Sequence, residues 1–278
     1  MLGSRVSCSL LFAALLILSP FCQGKTFAWG DNGHIAVAKV ADLYLTDAAR
    51  TKAGQILGAD IYARKVCMFA DAFKHRPEGS FTRSWHFVDV PDSANDFDPV
   101  RDCQQGNCVV AAIVEQKQVF KDAGSTFEQR VMALKFLIHF VGDIHQPLHC
   151  SERNGDHGGN EVQVRFLGRN GHLNLHSGWD DNILGENMQA EDPEDYAVEI
   201  KAKITSQQKT AWEQEKDPVK WVLEGHRLAH DVAYKDVATT NESHNLDANY
   251  VNRAKPVVEM QIQKAGVRLA KLLNELLP

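Results

Sequence analysis

The sequence is poor in positive charge. Its 278 residues carry 30 Lys and Arg against 36 Asp and Glu, a formal net charge of −6. Such a chain has no bulk field with which to hold the backbone of a long nucleic acid. A polyanion fits only at a local site where something else, such as metal ions, supplies the positive charge. Also absent is an apolar run long enough to cross a bilayer. The most apolar stretch, LLFAALLIL, falls within residues 1–28, behind Arg5 and ahead of small residues. That is the pattern of a secretory signal peptide. Taken alone, it fits a cut after Gly24 or after Ala28. Losing the leader removes Arg5 and Lys25 and takes the formal charge from −6 to −8. The C-terminal 268-RLAKLLNELLP is amphipathic and too short to anchor. There is no internal repeat, P-loop, dinucleotide fingerprint or linker. Residues 29–278 are expected to form one domain with a sizeable core. It is expected to be a secreted or luminal monomer without a stable protein partner.

Cysteine is scarce. Cys8 and Cys22 leave with the leader, and Cys67, Cys103, Cys108 and Cys150 remain. An oxidising compartment favours two disulfides among them. Cys103 and Cys108 enclose the short loop QQGN, which suits a local bridge, and leave Cys67 to Cys150. Asn241 begins an Asn-Glu-Ser glycosylation acceptor in a polar stretch.

What is present is mostly helical periodicity. Apolar spacing predicts helices over 34–45, 47–58 (opened by Asp47, stopped by Gly58), 61–74, 109–122 and 127–145. Pro147 should end the last of these, which is the most apolar. Further helices are expected over 191–207, 218–235 and 246–276. The segment 76–107, rich in proline, glycine and acids, reads as a long loop tied by a disulfide. The segment 160-NEVQVRFLGRNGHLNLH-176 alternates about a Gly-containing turn, as a β-hairpin does. The fold class is mainly α with a small hairpin.

The chemistry lies in histidines set against acids. In 139-HFVGDIHQPLHC-150, His139 and Asp143 are four residues apart and share a helix face. His149 follows Pro147, where the chain has turned. Taken alone, a His on such a helix is usually a satisfied core residue. The pattern recurs, however, in 28-AWGDNGH-34, in 70-ADAFK-74 with 85-WHFVD-89, and in 176-HSGWD-180. Imidazoles and carboxylates in this number suit zinc, with carboxylates able to bridge two ions.

These motifs, in order across residues 29–180, resemble the S1/P1 nuclease family of secreted zinc-dependent nucleases. The resemblance implies a mainly α phospholipase C/P1 nuclease-like fold with three zinc ions at the bottom of a cleft. One zinc would take Asp71, His86, His139 and Asp143. A second would take His149, His176 and Asp180. The third would take His34, the α-amine and carbonyl of Trp29, and Asp143 as a shared carboxylate. Trp29 offers an amine only if the leader is cut after Ala28, so the resemblance decides for residues 1–28. Catalysis would fall to Asp71, Lys74, Asp143 and Asn160. A hydroxide bridging the zinc pair joined by Asp143 would attack in line, and the remaining zinc would stabilise the departing 3′ oxygen. The expected substrates are RNA, single-stranded DNA and 3′-nucleotides, cut at the P–O3′ bond to give 5′-mononucleotides.

Lys74 would add charge at the phosphate; otherwise it is a solvated lysine. Phe87 would stack a nucleobase; otherwise it is core. Asn160 would bind phosphate or a metal-bound water; otherwise it caps the turn before the hairpin. His145 reads as support for the helix end, and Asp89 as an orienter of an imidazole. His226 and His230, four apart, read as a polar helix face and less readily as a metal pair. Two rival readings stand beside the nuclease. One is a zinc-dependent phospholipase C, whose family usually has Glu where this chain has Asp180. The other is a zinc- or nucleotide-binding protein without catalysis, which would show a damaged ligand set.

Overall fold

The computed structural model describes residues 29–237 and 243–278. The expected signal peptide over residues 1–28 and the expected glycosylation site at Asn241 lie outside the described residues. Helix α1 (Asp31–Asp42) presents Ala36, Val37, Val40 and Ala41 as a small-residue face. It packs on the C-terminal helix α13 (Ala248–Leu276). The two approach closely because Gly266 has no side chain: a Cβ there would lie 2.4 Å from Val40. Helix α2 (Asp47–Leu57) starts from a Thr46 side chain capping Ala49 N and stops at Gly58, whose φ of 63° suits glycine.

The expected single helix over 61–74 is two short ones, α3 (Arg64–Cys67) and α4 (Phe69–Lys74), broken at Met68. The expected loop 76–107 holds more structure than its prolines promised. Pro77–His86 forms a 3-10 helix, and α5 (Pro99–Asp102) starts on its proline, where a missing N–H costs nothing. Helix α6 (Val109–Lys121) packs against α7 (Phe127–Asp143). A Thr126/Gln129 capping box starts α7, and every residue from Phe136 to Asp143 is buried. A helix buried on all sides is central, and α7 carries the site.

Strands β1 (Gln163–Phe166) and β2 (Arg169–Asn174) form the expected antiparallel hairpin. Leu167 and Gly168, both with positive φ, make the turn. A third strand, β3 (His244–Leu246), adds in parallel to β1. Helices α8 (Leu175–Ser177) and α9 (Ile183–Met188) flank a π-helical turn at Gly178–Asn182. Helices α10 (Pro193–Ala202), α11 (Ser206–Gln214) and α12 (Pro218–Leu228) complete the body.

Cys103 and Cys108 are joined. The expected bridge between Cys67 and Cys150 is not formed; both are free and buried. The Cys67 thiol donates toward the carbonyls of Tyr62 and Arg64 in its own segment. The Cys150 thiol donates to Ile144 O at 3.2 Å and packs where Gly225 of α12 leaves room. Each sulfur thus has separate neighbours. Burial pushes both thiols up, Cys67 to about 12, so neither forms a reactive thiolate at neutral pH.

Candidate metal centre

Seven elements deliver the site. Helix α7 supplies His139 and Asp143 one turn apart. The short 3-10 turn Pro147–His149 after it brings His149 back beside the same region. Helix α4 gives Asp71 and Lys74, the adjoining 3-10 segment ends at His86, and α1 gives His34. His176 sits on α8, and Asp180 in the π turn that follows. The π turn has wider backbone spacing than an α-helix, a feature often found at functional sites. The eight imidazoles and carboxylates among these are all buried, and they fall into three groups able to hold a cation: His34/Asp71/His139, His86/His139/Asp143 and His149/His176/Asp180. In each group the ligand atoms lie within 4.8 Å of one another.

Hydrogen bonding fixes the protons. A carbonyl oxygen only accepts, so the nitrogen facing it must donate. His139 Nδ1 donates to Cys67 O at 2.7 Å, His149 Nδ1 to His86 O at 2.8 Å and His176 Nδ1 to Gly158 O at 2.8 Å. When these imidazoles are neutral, their Nε2 atoms are therefore bare lone pairs. His149 Nε2 and His176 Nε2 face each other at 3.1 Å, and Asp180 Oδ2 lies 3.5 Å from the latter. Lone pairs and a carboxylate at that spacing repel unless a cation lies among them.

The other groups repeat the pattern. Asp143 Oδ2 is 2.9 Å from His86 Nδ1 and 3.1 Å from His139 Nε2, while its Oδ1 is 3.3 Å from His34 Nε2. One carboxylate thus faces two neighbouring groups with different oxygens. Among the described residues both ring nitrogens of His34, His86 Nε2, Asp71 Oδ2, Asp143 Oδ1 and Asp180 Oδ2 are buried without a hydrogen-bond partner. Such orphans carry a desolvation cost that a bound metal ion removes. The donor set, nitrogen and carboxylate oxygen, suits zinc.

The electrostatics agree. Burial lowers His34, and lowers His86 and His149 to about 4 and His176 to about 3, so all are neutral at pH 7, as a ligand must be. Burial also works against the charged form of His139, but Asp143 and Asp71 outweigh it and raise that group. Burial raises Asp71, yet His139, Lys74 and His86 hold it at about 2. Asp180 is pushed well above the usual carboxylate range by burial, against the pull of Gln146. A carboxyl so placed ionises readily only beside a cation.

Two glycines permit this crowding. A Cβ on Gly142 would lie 2.9 Å from His34 Nδ1, and one on Gly158, at φ 64°, would lie 2.4 Å from Leu148 O. Trp29 is buried, and its Nε1 donates to Gly142 O at 3.0 Å, which ties it to α7 immediately before Asp143.

Above the array lies a cleft of about 310 Å³. His86, His149 and His176 form part of its lining, with Lys74, Phe87, Asp89 and Asn160. Lys74 is no solvated lysine: it is buried, and its Nζ sits 2.5 Å from Asp71 Oδ1. Phe87 is 37% exposed, which excludes the core alternative. Asn160 reaches the cleft but also donates to His157 O at 2.8 Å, so the turn-capping alternative has support.

Asp89 lines the cleft, and burial and Glu152 raise it to about 6. Backbone carbonyls orient His139, His149 and His176, Asp143 faces His86, and among the described residues Asp89 hydrogen-bonds no imidazole. His145 points elsewhere, to Arg268 of α13. His226 is spoken for by Ser151 Oγ and Ala94 O, and His230 by Asp92, so these two form no metal pair.

Sequence reasoning missed Gln146. Its Nε2 donates to Asp180 Oδ1 at 2.7 Å, and its Oε1 accepts from Leu148 N at 2.6 Å. One buried amide therefore fixes both the turn that delivers His149 and the carboxylate that faces His176. His75, Arg83 and His157, which also line the cleft, stood in no cluster in the sequence.

A helical body with three linked imidazole–carboxylate groups under a cleft defines a protein with a buried array able to hold several metal ions. The S1/P1 Nuclease family model matches residues 29–278, and the chain belongs to that family. Nuclease S1 of Aspergillus oryzae is 32% identical over 270 residues, covering 90% of this chain and 92% of that protein. Endonuclease 2 of Arabidopsis thaliana is 33% identical over 298 residues, covering 99% and 98%. Nuclease P1 of Penicillium citrinum is 31% identical over 268 residues, covering 89% and 97%. The mainly α fold and the family membership are those the motifs implied.

Proposed function

We propose that this chain is a secreted zinc-dependent nuclease. It hydrolyses RNA and single-stranded DNA at the P–O3′ bond to 5′-mononucleotides, and also acts on 3′-nucleotides. The observation that carries the reading is the set of buried lone pairs and orphaned carboxylate oxygens facing one another beneath the cleft. Asp71, His86, His139 and Asp143 would hold one zinc ion. His149, His176 and Asp180 would hold a second. His34, Asp143 and the freed amine and carbonyl of Trp29 would hold a third. Bound there, zinc supplies a nucleophile at neutral pH and neutralises charge on the phosphoryl group.

The chain's own residues do the rest. The carbonyls of Cys67, His86 and Gly158 lock three imidazoles with Nε2 turned inward, so no reorganisation is needed when charge develops. Asp143, with an oxygen toward each of two groups, holds them at a fixed spacing. Lys74, pinned by Asp71 at the cleft floor, is a fixed positive charge for a non-bridging phosphate oxygen. Phe87 offers an exposed ring on which any base can stack, which suits a sequence-tolerant enzyme. Asn160 offers its amide to the phosphate, in exchange for the bond to His157 O.

The test is zinc per purified chain, with assays on single-stranded RNA, single-stranded DNA and phosphatidylcholine, each with and without chelator. Three zinc ions and chelator-sensitive release of 5′-mononucleotides support the reading. Cleavage of the lipid alone would replace it with the phospholipase, and metal binding without any turnover with the non-catalytic protein. N-terminal sequencing of active material should begin at Trp29.

A further inference from the structure

The cleft holds two strong cations in different circumstances. Lys74 is buried, and Asp71 sits 2.5 Å from its ammonium. Arg83 lines the same cleft but is exposed. Its only hydrogen bond among the described residues is from Nε to Lys74 O at 3.4 Å, and no carboxylate there pairs with it. That one bond anchors the guanidinium beside Lys74 and leaves both Nη groups free. An unpaired arginine in a cleft of an acidic chain is well suited to an anion from outside. Its planar fork matches two oxygens of a phosphate, as a lysine's point charge does not.

We infer that Arg83 forms a second phosphate subsite, binding the phosphate next to the one being cut. The inference rests on the nuclease reading and sharpens its substrate class. A dinucleoside monophosphate has only the scissile phosphate, so nothing on it reaches Arg83. A longer single strand has a neighbouring phosphate and gains the contact. Arg83 is thus a specificity-determining residue that favours polynucleotides over the smallest substrates. It touches neither the metal groups nor the reacting atoms, so its effect falls on KM. His75, exposed on the same wall, lies where it can receive the same strand.

The experiment compares the zinc-loaded wild type with Arg83→Gln and Arg83→Lys on a dinucleoside monophosphate and on a single-stranded hexanucleotide, across a series of salt concentrations. Arg83→Gln should lower the hexanucleotide-to-dinucleotide ratio of kcat/KM about tenfold, the low end for a charge-assisted hydrogen bond at an exposed site. The loss should appear in KM. The salt dependence of hexanucleotide binding should become shallower by about 0.7 in log–log slope, one phosphate contact on a single strand. Arg83→Lys should keep the slope and lose part of the ratio. Equal effects on both substrates, a loss confined to kcat, or an unchanged ratio with an active wild type would overturn the subsite. A wild type that cleaves neither substrate would overturn the nuclease reading itself, and the subsite with it. Thermal melting of both variants, expected to match the wild type because the side chain is exposed, separates a binding effect from misfolding.

Discussion

Buried histidines around the end of α7 stand in two different states. Toward α1, α4 and α8, the imidazoles His34, His86, His139, His149 and His176 turn lone pairs on one another and on carboxylates. Toward α12 and α13, His145 is equally buried but fully served. Its Nδ1 donates to Val141 O at 2.7 Å, and its Nε2 accepts from Arg268 Nη1 at 2.9 Å. Arg268 in turn grips Glu224 with two bonds of 2.9 and 3.0 Å. Burial does not separate a metal site from a structural histidine. What separates them is whether the protein supplies each nitrogen with a partner of its own.

That contrast can be broken from either side. Asp143→Asn removes the shared carboxylate, and activity on single-stranded RNA should fall at least about a thousandfold. Zinc content, measured by atomic emission, should fall with it, while helix content stays near that of the wild type. Arg268→Leu attacks the other set. It leaves His145 Nε2 without its donor and Glu224 with only Lys264, and should cost about 2–3 kcal/mol in a denaturant titration. The zinc count should survive, and loss of metal in the folded variant would show that the two sets are not separate.

A smaller effect comes from pH. Burial alone would raise Glu224, but the bonds from Arg268 hold it down at about 2, against an ordinary value of 4.5. A carboxylate depressed on folding contributes stability that is complete above about 4.5 and is lost as pH falls toward 2. Glu224→Gln should therefore flatten the decline of unfolding free energy below pH 4.5, and an unchanged profile would remove the pair from the acid response. The smallest expected signal concerns sulfur. Under denaturing, non-reducing conditions a thiol reagent should find Cys67 and Cys150 and spare Cys103 and Cys108; in the native state it should find none.

Much of this centre was legible because helical periodicity is written in spacing. His139 with Asp143, and His176 with Asp180, are each four apart, and that alone puts each pair on one face. The turn after Pro147 was legible for the same local reason. The orienting groups were not. Cys67 O, His86 O and Gly158 O are main-chain atoms that any residue would supply, and they come from segments distant in sequence. Gln146 was overlooked because an amide before a proline carries no chemistry by itself; its role needs Asp180 brought from 34 residues away. The Cys103–Cys108 bridge was legible from its short loop, but the Cys67–Cys150 pairing failed because the choice depends on Cα and Cβ vectors, which spacing does not encode at long range. The third strand, His244–Leu246, is too short to show a period.

Gly142 has a consequence for the order in which this protein can change. The space of its missing Cβ is taken by the ring of His34, contributed from a helix more than a hundred positions earlier. A glycine inside a helix gives up about 1 kcal/mol against alanine, and simple selection for stability would replace it. That replacement is closed for as long as His34 stays. A descendant that loses His34 is freed to fill position 142, and once it has done so the histidine cannot return without first undoing the change. The pair works as a ratchet, in which a stabilising step in the scaffold makes the loss of a ligand permanent.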